Sequence, residues 1–277
     1  MIEAVLERDA AIEPDALYPQ LRCRTTQRRM LDSEPLSTSA RTALEASVGS
    51  GYRVIWVEGG RDKWRMARLL FENAHIRLTI PEAYRVHRAI IHWNARYSRD
   101  RIPDQALGIA DPLTLRLMRW AMQSWSRVQF LNRYFGGTLM PRLQLDLLPA
   151  LRCAAHFVLV AERQPVTIDD YMEGGRRLQR FWLTATRLGL LLQPEMTPLI
   201  FARYVREGIR FSTLDRAQAE AIKLSDRLEA LIGRQACTRA LFMGRLGRGT
   251  QPQSRSLRRP LEQLLVHGEE DPRRPAG

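Results

Sequence analysis

A short segment near the amino terminus has residue types and spacing that suit an anionic ligand. Arg24 and Arg28 are four residues apart, so on a helical turn their side chains would project to the same side. Thr25 and Thr26 place two hydroxyl groups between them. Guanidinium groups bind phosphate through planar, charge-assisted hydrogen bonds. All but two of the 43 basic residues are arginine, however, so such pairs arise easily by chance and the spacing alone selects no ligand.

Other patterns that could support chemistry are weak or missing from the sequence. His87 and His92 are five residues apart and do not share a helix face, which argues against a zinc pair. Cys23, Cys153 and Cys237 form no CxxC or Cys/His spacing that suits a metal. The GxSxG, HExxH, Walker and GxGxxG motifs do not occur. We therefore predict no metal site, and we name no catalytic acid, base or nucleophile.

The composition limits the class of protein and its partners. With 45% hydrophobic residues the chain can bury a sizeable core. A net charge of +13 raises nucleic acid as a partner, but the arginines are scattered through every segment, which argues against one. No apolar run approaches the ~20 residues of a membrane helix, and the acidic amino terminus is unlike a signal peptide. We expect a cytoplasmic protein with no membrane partner.

Apolar periodicity and capping residues predict an alternation of helices and strands. Four apolar segments indicate strands: Tyr52–Glu58, which is rich in β-branched and aromatic residues, Ala155–Glu162, Leu190–Leu192 and 240–247. Helices are expected to begin at Ser37 or Thr38, at Asp62, and at Thr167, where Asp170 completes a capping box. His156 opens one of the strands and is expected to be a core histidine with its hydrogen bonds satisfied.

The segment Pro112–Tyr134 is predicted to form one helix that is apolar around much of its circumference. Trp120 and Trp125 add large rigid surfaces to it. A helix of this kind must be covered on both faces, so we expect it deep in the core or at a subunit interface.

Two distant stretches resemble the FMN-dependent nitroreductase superfamily. The first, Arg24–Met30 followed by Glu34–Ser37, is similar to the family's opening of Arg, a variable residue, Ser, a basic residue and an aromatic, closing on an acidic-Pro-Val-Ser phrase. The second, Glu173–Pro194, is similar to a family helix and strand with Gly, Gln, Leu-x-Ala and Leu-Gly-Leu signposts. A weaker third is the basic stretch 255–265. The region 73–149 fits loosely and resembles a divergent branch sometimes found beside ubiquitin-activating-enzyme-like adenylating domains.

The resemblance implies an α+β fold with a central, mostly antiparallel sheet flanked by helices on both faces. It also implies a homodimer that holds FMN at the subunit interface. We expect an amino-terminal extension at 1–20, the flavin-binding domain at 21–268 and a disordered tail at 269–277.

The resemblance also implies a set of cofactor-binding residues. Side chains at both ends of the chain would hold the FMN phosphate: Arg24, Thr25, Thr26, Arg28, Arg255 and Arg258. The backbone after the Leu-Gly-Leu strand, at Pro194, Glu195 and Met196, would approach the reactive edge of the flavin. Members of the family pass hydride from NADH or NADPH to a small-molecule acceptor such as a nitroaromatic or quinone. Two alternatives stay open: a non-catalytic flavin-binding or sequestering protein, and an interaction module that works with an adenylating enzyme.

Overall fold

The computed structural model describes residues 9, 11–109 and 111–264. Its helices are α1 Gln20–Cys23, α2 Thr38–Ser47, α3 Gly60–Thr79, α4 Pro81–Ile90, α5 Pro112–Ala121, α6 Trp125–Tyr134, α7 Leu139–Arg142, α8 Leu148–Leu151, α9 Ile168–Arg187, α10 Thr197–Arg206, α11 Asp215–Ile232 and α12 Arg234–Arg239. Its strands are β1 Tyr52–Val57, β2 Ile91–His92, β3 Tyr97–Ser98, β4 Ile102–Pro103, β5 Ala155–Ala161, β6 Leu191–Pro194, β7 Ala240–Gly247 and β8 Arg255–Ser256. A π-helical turn, Leu143–Leu147, joins α7 to α8, and a short 3-10 helix spans Asp104–Ala106.

The central sheet has four strands in the order β1-β5-β7-β6, and each neighbouring pair is antiparallel. All four strands predicted from the sequence are present in it. Every residue of β5 is buried, as a continuous apolar run requires when both faces of a sheet are covered. The predicted α+β fold with a mostly antiparallel central sheet is confirmed.

Helices cover both faces of this sheet because successive strand residues point to opposite sides. Val158 of β5 and Met243 of β7 pack in a cluster with α3, α10 and α11. Phe157 and Phe242 point the other way and pack against α2 and α9. The predicted placement of helices on both faces is confirmed.

Capping residues set the helix ends, with one exception to the predictions. The Ser37 hydroxyl accepts a hydrogen bond from the Ala40 amide and begins α2. Thr167 and Asp170 form the expected capping box at the start of α9. The prediction for Asp62 was wrong, because α3 begins at Gly60 and Asp62 lies inside its first turn. A carboxylate there still interacts favourably with the positive end of the helix.

The segment Pro112–Tyr134 differs from the prediction in two ways. It forms two helices, because the Ser124 hydroxyl accepts from the Arg127 amide and begins α6 anew. The prediction of a deeply buried helix was also wrong. Ala121 is the buried residue of α5 and none of α6 is buried, while Trp120 is 40% and Phe130 48% exposed. The interface alternative stays a prediction.

Part of the predicted amino-terminal extension packs on the domain. Leu17 is buried, and Arg180 of α9 donates a hydrogen bond of 2.6 Å to the Asp15 carboxylate. The domain boundaries stay predictions, and the tail expected at 269–277 lies outside the described residues. Among the helices that the structure describes, none is long and apolar enough to cross a membrane.

Candidate anion-binding site

An open pocket of about 600 Å³ lies where the two ends of the chain meet. We call it the arginine pocket because five guanidinium side chains line it, those of Arg22, Arg24, Arg28, Arg255 and Arg258. Its other polar side chains are the hydroxyls of Thr25, Thr26, Ser254 and Ser256. The six residues predicted to hold a phosphate therefore lie together, although more than 220 positions separate the two groups in the sequence.

The amino-terminal wall of the pocket is an extended segment. Helix α1 ends at Cys23, and Arg24 has φ −57° and ψ 124°. Thr26 forms a parallel bridge with Leu192 of β6, and the Gln27 amide donates to the Leu192 carbonyl at 3.1 Å. The expectation of a helical turn from Arg24 to Arg28 was therefore wrong. The two side chains still share a side, because residues i and i+4 lie on one face of an extended strand as well.

The carboxy-terminal wall is held in place by backbone contacts. Strand β8 pairs in parallel with β3, which fixes Arg255 and Ser256. The Arg255 guanidinium donates to the Arg22 carbonyl at 3.2 Å, and that of Arg258 donates to the Leu21 carbonyl at 3.0 Å. Both guanidinium groups thus lie at the amino-terminal wall, and the backbone carbonyls that bind them do not neutralise their positive charge.

The arginine pocket has an excess of positive charge. Its lining contains no Asp or Glu, and none of its five arginines forms a salt bridge among the residues that the structure describes. The Arg24 guanidinium lies 4.3 Å from the Trp182 ring centre, and its Nε is buried with no hydrogen-bond partner in the described part of the chain. Burial, and then the charge of Arg258, lowers the pKa of Arg24. Burial, and then Arg245, lowers the pKa of Arg28. A bound anion would relieve this repulsion.

The three backbone positions predicted to face the flavin lie outside the arginine pocket. Pro194 has no amide hydrogen and pairs with Gly244 in the sheet, and the Glu195 amide donates to the Met243 carbonyl at 2.9 Å. Met196 caps α10, so the first amides of that helix have no intrahelical acceptor. Pro194 is two residues beyond Leu192, or roughly 7 Å along a strand. The segment therefore adjoins the pocket wall without lining it.

A buried ion cluster beneath the pocket was missed by sequence analysis. Glu195 accepts hydrogen bonds from the His156 Nδ1 at 2.7 Å and from the Arg245 Nη1 at 2.7 Å. The side chains of Glu195 and Arg245 are 3% exposed, and that of His156 is fully buried. We call these three residues the buried triad. The Arg245 Nη2 also donates to the Arg28 carbonyl at 3.0 Å, which ties the triad to the pocket wall.

The charges of the buried triad are set by its own members. Burial alone would lower the pKa of His156, but the Glu195 carboxylate and the hydrogen bonds of the ring raise it to about 10. Burial would raise the pKa of Glu195, but His156 and Arg245 together lower it. His156 is therefore a satisfied core histidine, as predicted, and it carries a proton that its Nε2 donates to the Ala150 carbonyl at 2.9 Å. One signal was available in the sequence: His156, Glu195 and Arg245 each stand alone as an ionisable residue in an apolar stretch.

Comparison with known proteins gives similarity at the level of structure. No protein-family model matches the sequence, and no curated protein matches it. The chain is similar to nitroreductase-like solved structures. The FMN-dependent nitroreductase of Mycobacterium smegmatis, solved with NADPH, is 13% identical with a TM-score of 0.49, over 91% of this chain and 97% of the other. A nitroreductase-like family protein from Bacillus cereus is 10% identical with a TM-score of 0.45, over 94% and 100%.

A third similar structure is the NADPH:FMN oxidoreductase of Vibrio harveyi, solved with NAD+. It is 9% identical with a TM-score of 0.45, over 91% of this chain and 77% of the other. These identities and TM-scores leave the function of the chain to be inferred from its own residues.

Proposed function

We propose that the chain is a divergent member of the FMN-dependent nitroreductase superfamily and that the arginine pocket binds the phosphate of FMN. One observation carries the proposal: arginines from opposite ends of the chain, which the family resemblance selects, line one pocket, and no Asp or Glu among the described residues joins that lining. A phosphate monoester carries about −1.5 to −2 charges at neutral pH. It is therefore the kind of ligand that the pocket's uncompensated charge favours.

The chemistry of the donors fits this ligand. Arg24 and Arg28 would contact the phosphate from one wall, and Arg255 and Arg258 from the other, each with planar guanidinium donors. The Arg24 Nε already lies buried without an acceptor, which is costly unless a ligand supplies one. The hydroxyls of Thr25 and Thr26 complete the phosphate contacts.

We assign the reactive ring of the cofactor to the backbone at Pro194, Glu195 and Met196. This segment adjoins Thr26 through Leu192, and the free amides at the start of α10 are the donors available there. When bound, the flavin supplies hydride transfer from NADH or NADPH to an acceptor such as a nitroaromatic or quinone. The protein binds and orients the cofactor, so an activity of this kind requires no side-chain nucleophile.

The same proposal includes a homodimer. Large apolar side chains on α5 and α6 are exposed, and we call this surface the α5–α6 face: Leu117, Trp120, Phe130, Tyr134 and Phe135. An exposed patch of this kind is typical of a protein interface. Light scattering should give twice the 32.0 kDa chain mass. The substitution Phe130→Asp should shift the mass toward a monomer, and Trp64→Asp on the exposed side of α3 should not.

The cofactor assignment is tested by an absorption spectrum of the purified chain and by titration with FMN and riboflavin. We expect bound flavin, or quenching of FMN fluorescence on titration, with a clear preference for FMN because riboflavin lacks the phosphate. A colourless protein that leaves FMN fluorescence unchanged would contradict the proposal.

The two alternative functions are separated by further measurements. Rapid mixing of the flavin-loaded protein with NADH or NADPH should bleach the flavin if the chain is an oxidoreductase. A flavin-sequestering protein would bind FMN but leave it oxidised. An interaction module would instead co-purify with an adenylating enzyme and show no preference for FMN over riboflavin.

A further inference from the structure

A second cavity, of about 230 Å³, lies among α4, α5, α6 and α7. Its lining is mainly apolar and includes Leu117, Met118, Ala121 and Leu131. It is separate from the arginine pocket, although the two are neighbours: Ala106 lines the pocket and the next residue lines the cavity. A mainly apolar cavity with a few polar groups is the usual form of a small-molecule site.

Two basic side chains line this mainly apolar space, Arg77 from α3 and His87 from α4, and its other polar side chains are uncharged. The Arg77 Nη2 is 3.4 Å from the Asp146 Oδ1, a long contact, and its Nε is buried with no hydrogen-bond partner within the described ranges of the chain. The His87 ring makes no hydrogen bond to any residue that the structure describes. Burial, and then the charge of Arg77, lowers the pKa of His87 to about 4. The cavity thus contains one partly compensated cation and one neutral imidazole with unused hydrogen-bonding capacity.

These groups define the chemistry of a ligand. A guanidinium group prefers planar carboxylates and phosphates, and one partly compensated guanidinium beside a neutral imidazole supplies too little positive charge for a phosphate dianion. The apolar walls require a hydrocarbon body. At about 30 Å³ for each water-sized group, the volume accommodates on the order of eight non-hydrogen atoms.

We propose that this cavity binds a small apolar carboxylic acid, with its carboxylate against Arg77 and His87 and its hydrocarbon body between α5 and α6. This inference goes beyond the flavin function. It places a second ligand site in the region 73–149, which the family resemblance explains least.

The test uses the full chain and four probes: benzoate, hexanoate and their uncharged amides, benzamide and hexanamide. Isothermal titration calorimetry should give a Kd of about 1 mM or lower for at least one acid, and binding at least tenfold tighter than for the matching amide. Preference for benzoate or for hexanoate distinguishes an aromatic from an aliphatic ligand. The proposal is overturned if neither acid binds, or if an amide binds as tightly as its acid.

Variants locate the binding site. Arg77→Met should abolish the preference for the acid, whereas Arg65→Met, an exposed arginine on the same helix, should keep it. Ala121→Leu should fill the cavity and remove binding of every probe. Circular dichroism and FMN titration verify that each variant is folded. The acids should still bind to the Arg24→Ala variant. If they do not, their binding site is the arginine pocket, and the proposal of a second site is overturned. The flavin assignment would be unaffected by that result.

Discussion

The arginine pocket and the buried triad both concentrate positive charge, and they compensate it in different ways. In the triad, Glu195 lies between His156 and Arg245 at 2.7 Å from each, and all three are withdrawn from water. In the pocket, five arginines share an open space, and none of the described residues that line it carries a carboxylate. A buried charge must have a partner within the protein because it has lost its hydration, whereas charge at an open pocket is solvated by water until a ligand binds. The missing carboxylate is thus a specific feature of the proposed ligand site.

Arg28 joins the two regions. Its carbonyl accepts from Arg245 of the triad, while its own guanidinium lines the pocket and donates to the Ala106 carbonyl at 3.1 Å. The main chain at Arg28 is therefore held by the buried triad, whereas its side chain lines the arginine pocket. Substitutions can separate these two roles.

The largest expected effect comes from breaking the triad with Glu195→Gln. The shape is kept, but two buried cations lose their shared anion, and breaking a buried ion pair costs about 3 to 5 kcal/mol. The free energy of unfolding, measured with urea, should fall by this amount. Glu173→Gln, which removes a carboxylate paired with surface arginines of α9, is the control and should cost less than about 1 kcal/mol. An equal loss of unfolding free energy in the two variants would show that Glu195 stabilises the fold no more than a surface carboxylate does.

The next effect should appear in binding and not in folding. Arg24→Ala and Arg28→Ala each remove a charge-assisted hydrogen bond to the phosphate, worth about 1.5 to 3 kcal/mol, so FMN affinity should fall roughly 10- to 150-fold. The free energy of unfolding should change little, because each substitution also removes repulsion within the pocket. Fluorescence titration and urea unfolding measure the two quantities separately.

Neighbouring arginines provide matched controls for these variants. Arg29 and Arg259 are exposed, adjoin pocket residues in sequence and do not line the pocket, so their alanine variants should keep FMN affinity. Riboflavin binding should be nearly unchanged in all four variants, since that ligand has no phosphate. If Arg24→Ala and Arg28→Ala discriminate FMN from riboflavin as well as the unaltered protein does, the phosphate binds elsewhere.

A pH dependence should sharpen the description of the triad. Folding raises the pKa of His156 from 6.5 to about 10, so its contribution to stability is complete below pH 6.5 and is lost as pH rises toward 10. Between about pH 7 and 8.5 the free energy of unfolding should fall by at most about 1.4 kcal/mol per pH unit. His156→Gln should remove this slope. A slope unchanged by the substitution would show that His156 is not the titrating group.

The smallest expected effect is the response to salt. Raising NaCl from about 50 to 500 mM screens exposed charges, so FMN affinity should fall by roughly three- to tenfold. The buried triad is shielded from mobile ions, and the urea-measured stability should change much less. An FMN affinity that is indifferent to salt would argue against phosphate binding by open arginines.

The parts of the fold that depend on local patterns could be predicted from the sequence. Short apolar runs located the four sheet strands, and the hydroxyls of Ser37 and Thr167 located two helix starts, because these signals act over a few neighbouring residues. Ser124 is the same kind of signal, but it stands inside a long apolar pattern that favoured one continuous helix. Competing local signals are decided by tertiary packing.

The candidate site was predictable in part. The family resemblance selected four of the five pocket arginines, from both ends of the chain, and missed Arg22. The segment Arg24–Arg28 is extended and bridged to β6 instead of forming a helical turn. The sequence offered only the isolated charge in each apolar stretch, and the contacts of the triad could not be predicted from it, since His156, Glu195 and Arg245 come together only when β5, β6 and β7 pair in their observed register. Register of this kind is set by long-range contacts.

The hydrogen bond from Arg245 to the Arg28 carbonyl has a consequence for how the protein can be changed. Any amino acid has a carbonyl group, so the anchor survives replacement of the side chain at position 28. Laboratory libraries that vary positions 24, 28 and 258 could then explore new ligands, from sulfonates to nucleotides, without undermining the scaffold. A natural lineage would have the same freedom, with recognition drifting between descendants while the architecture stayed constant.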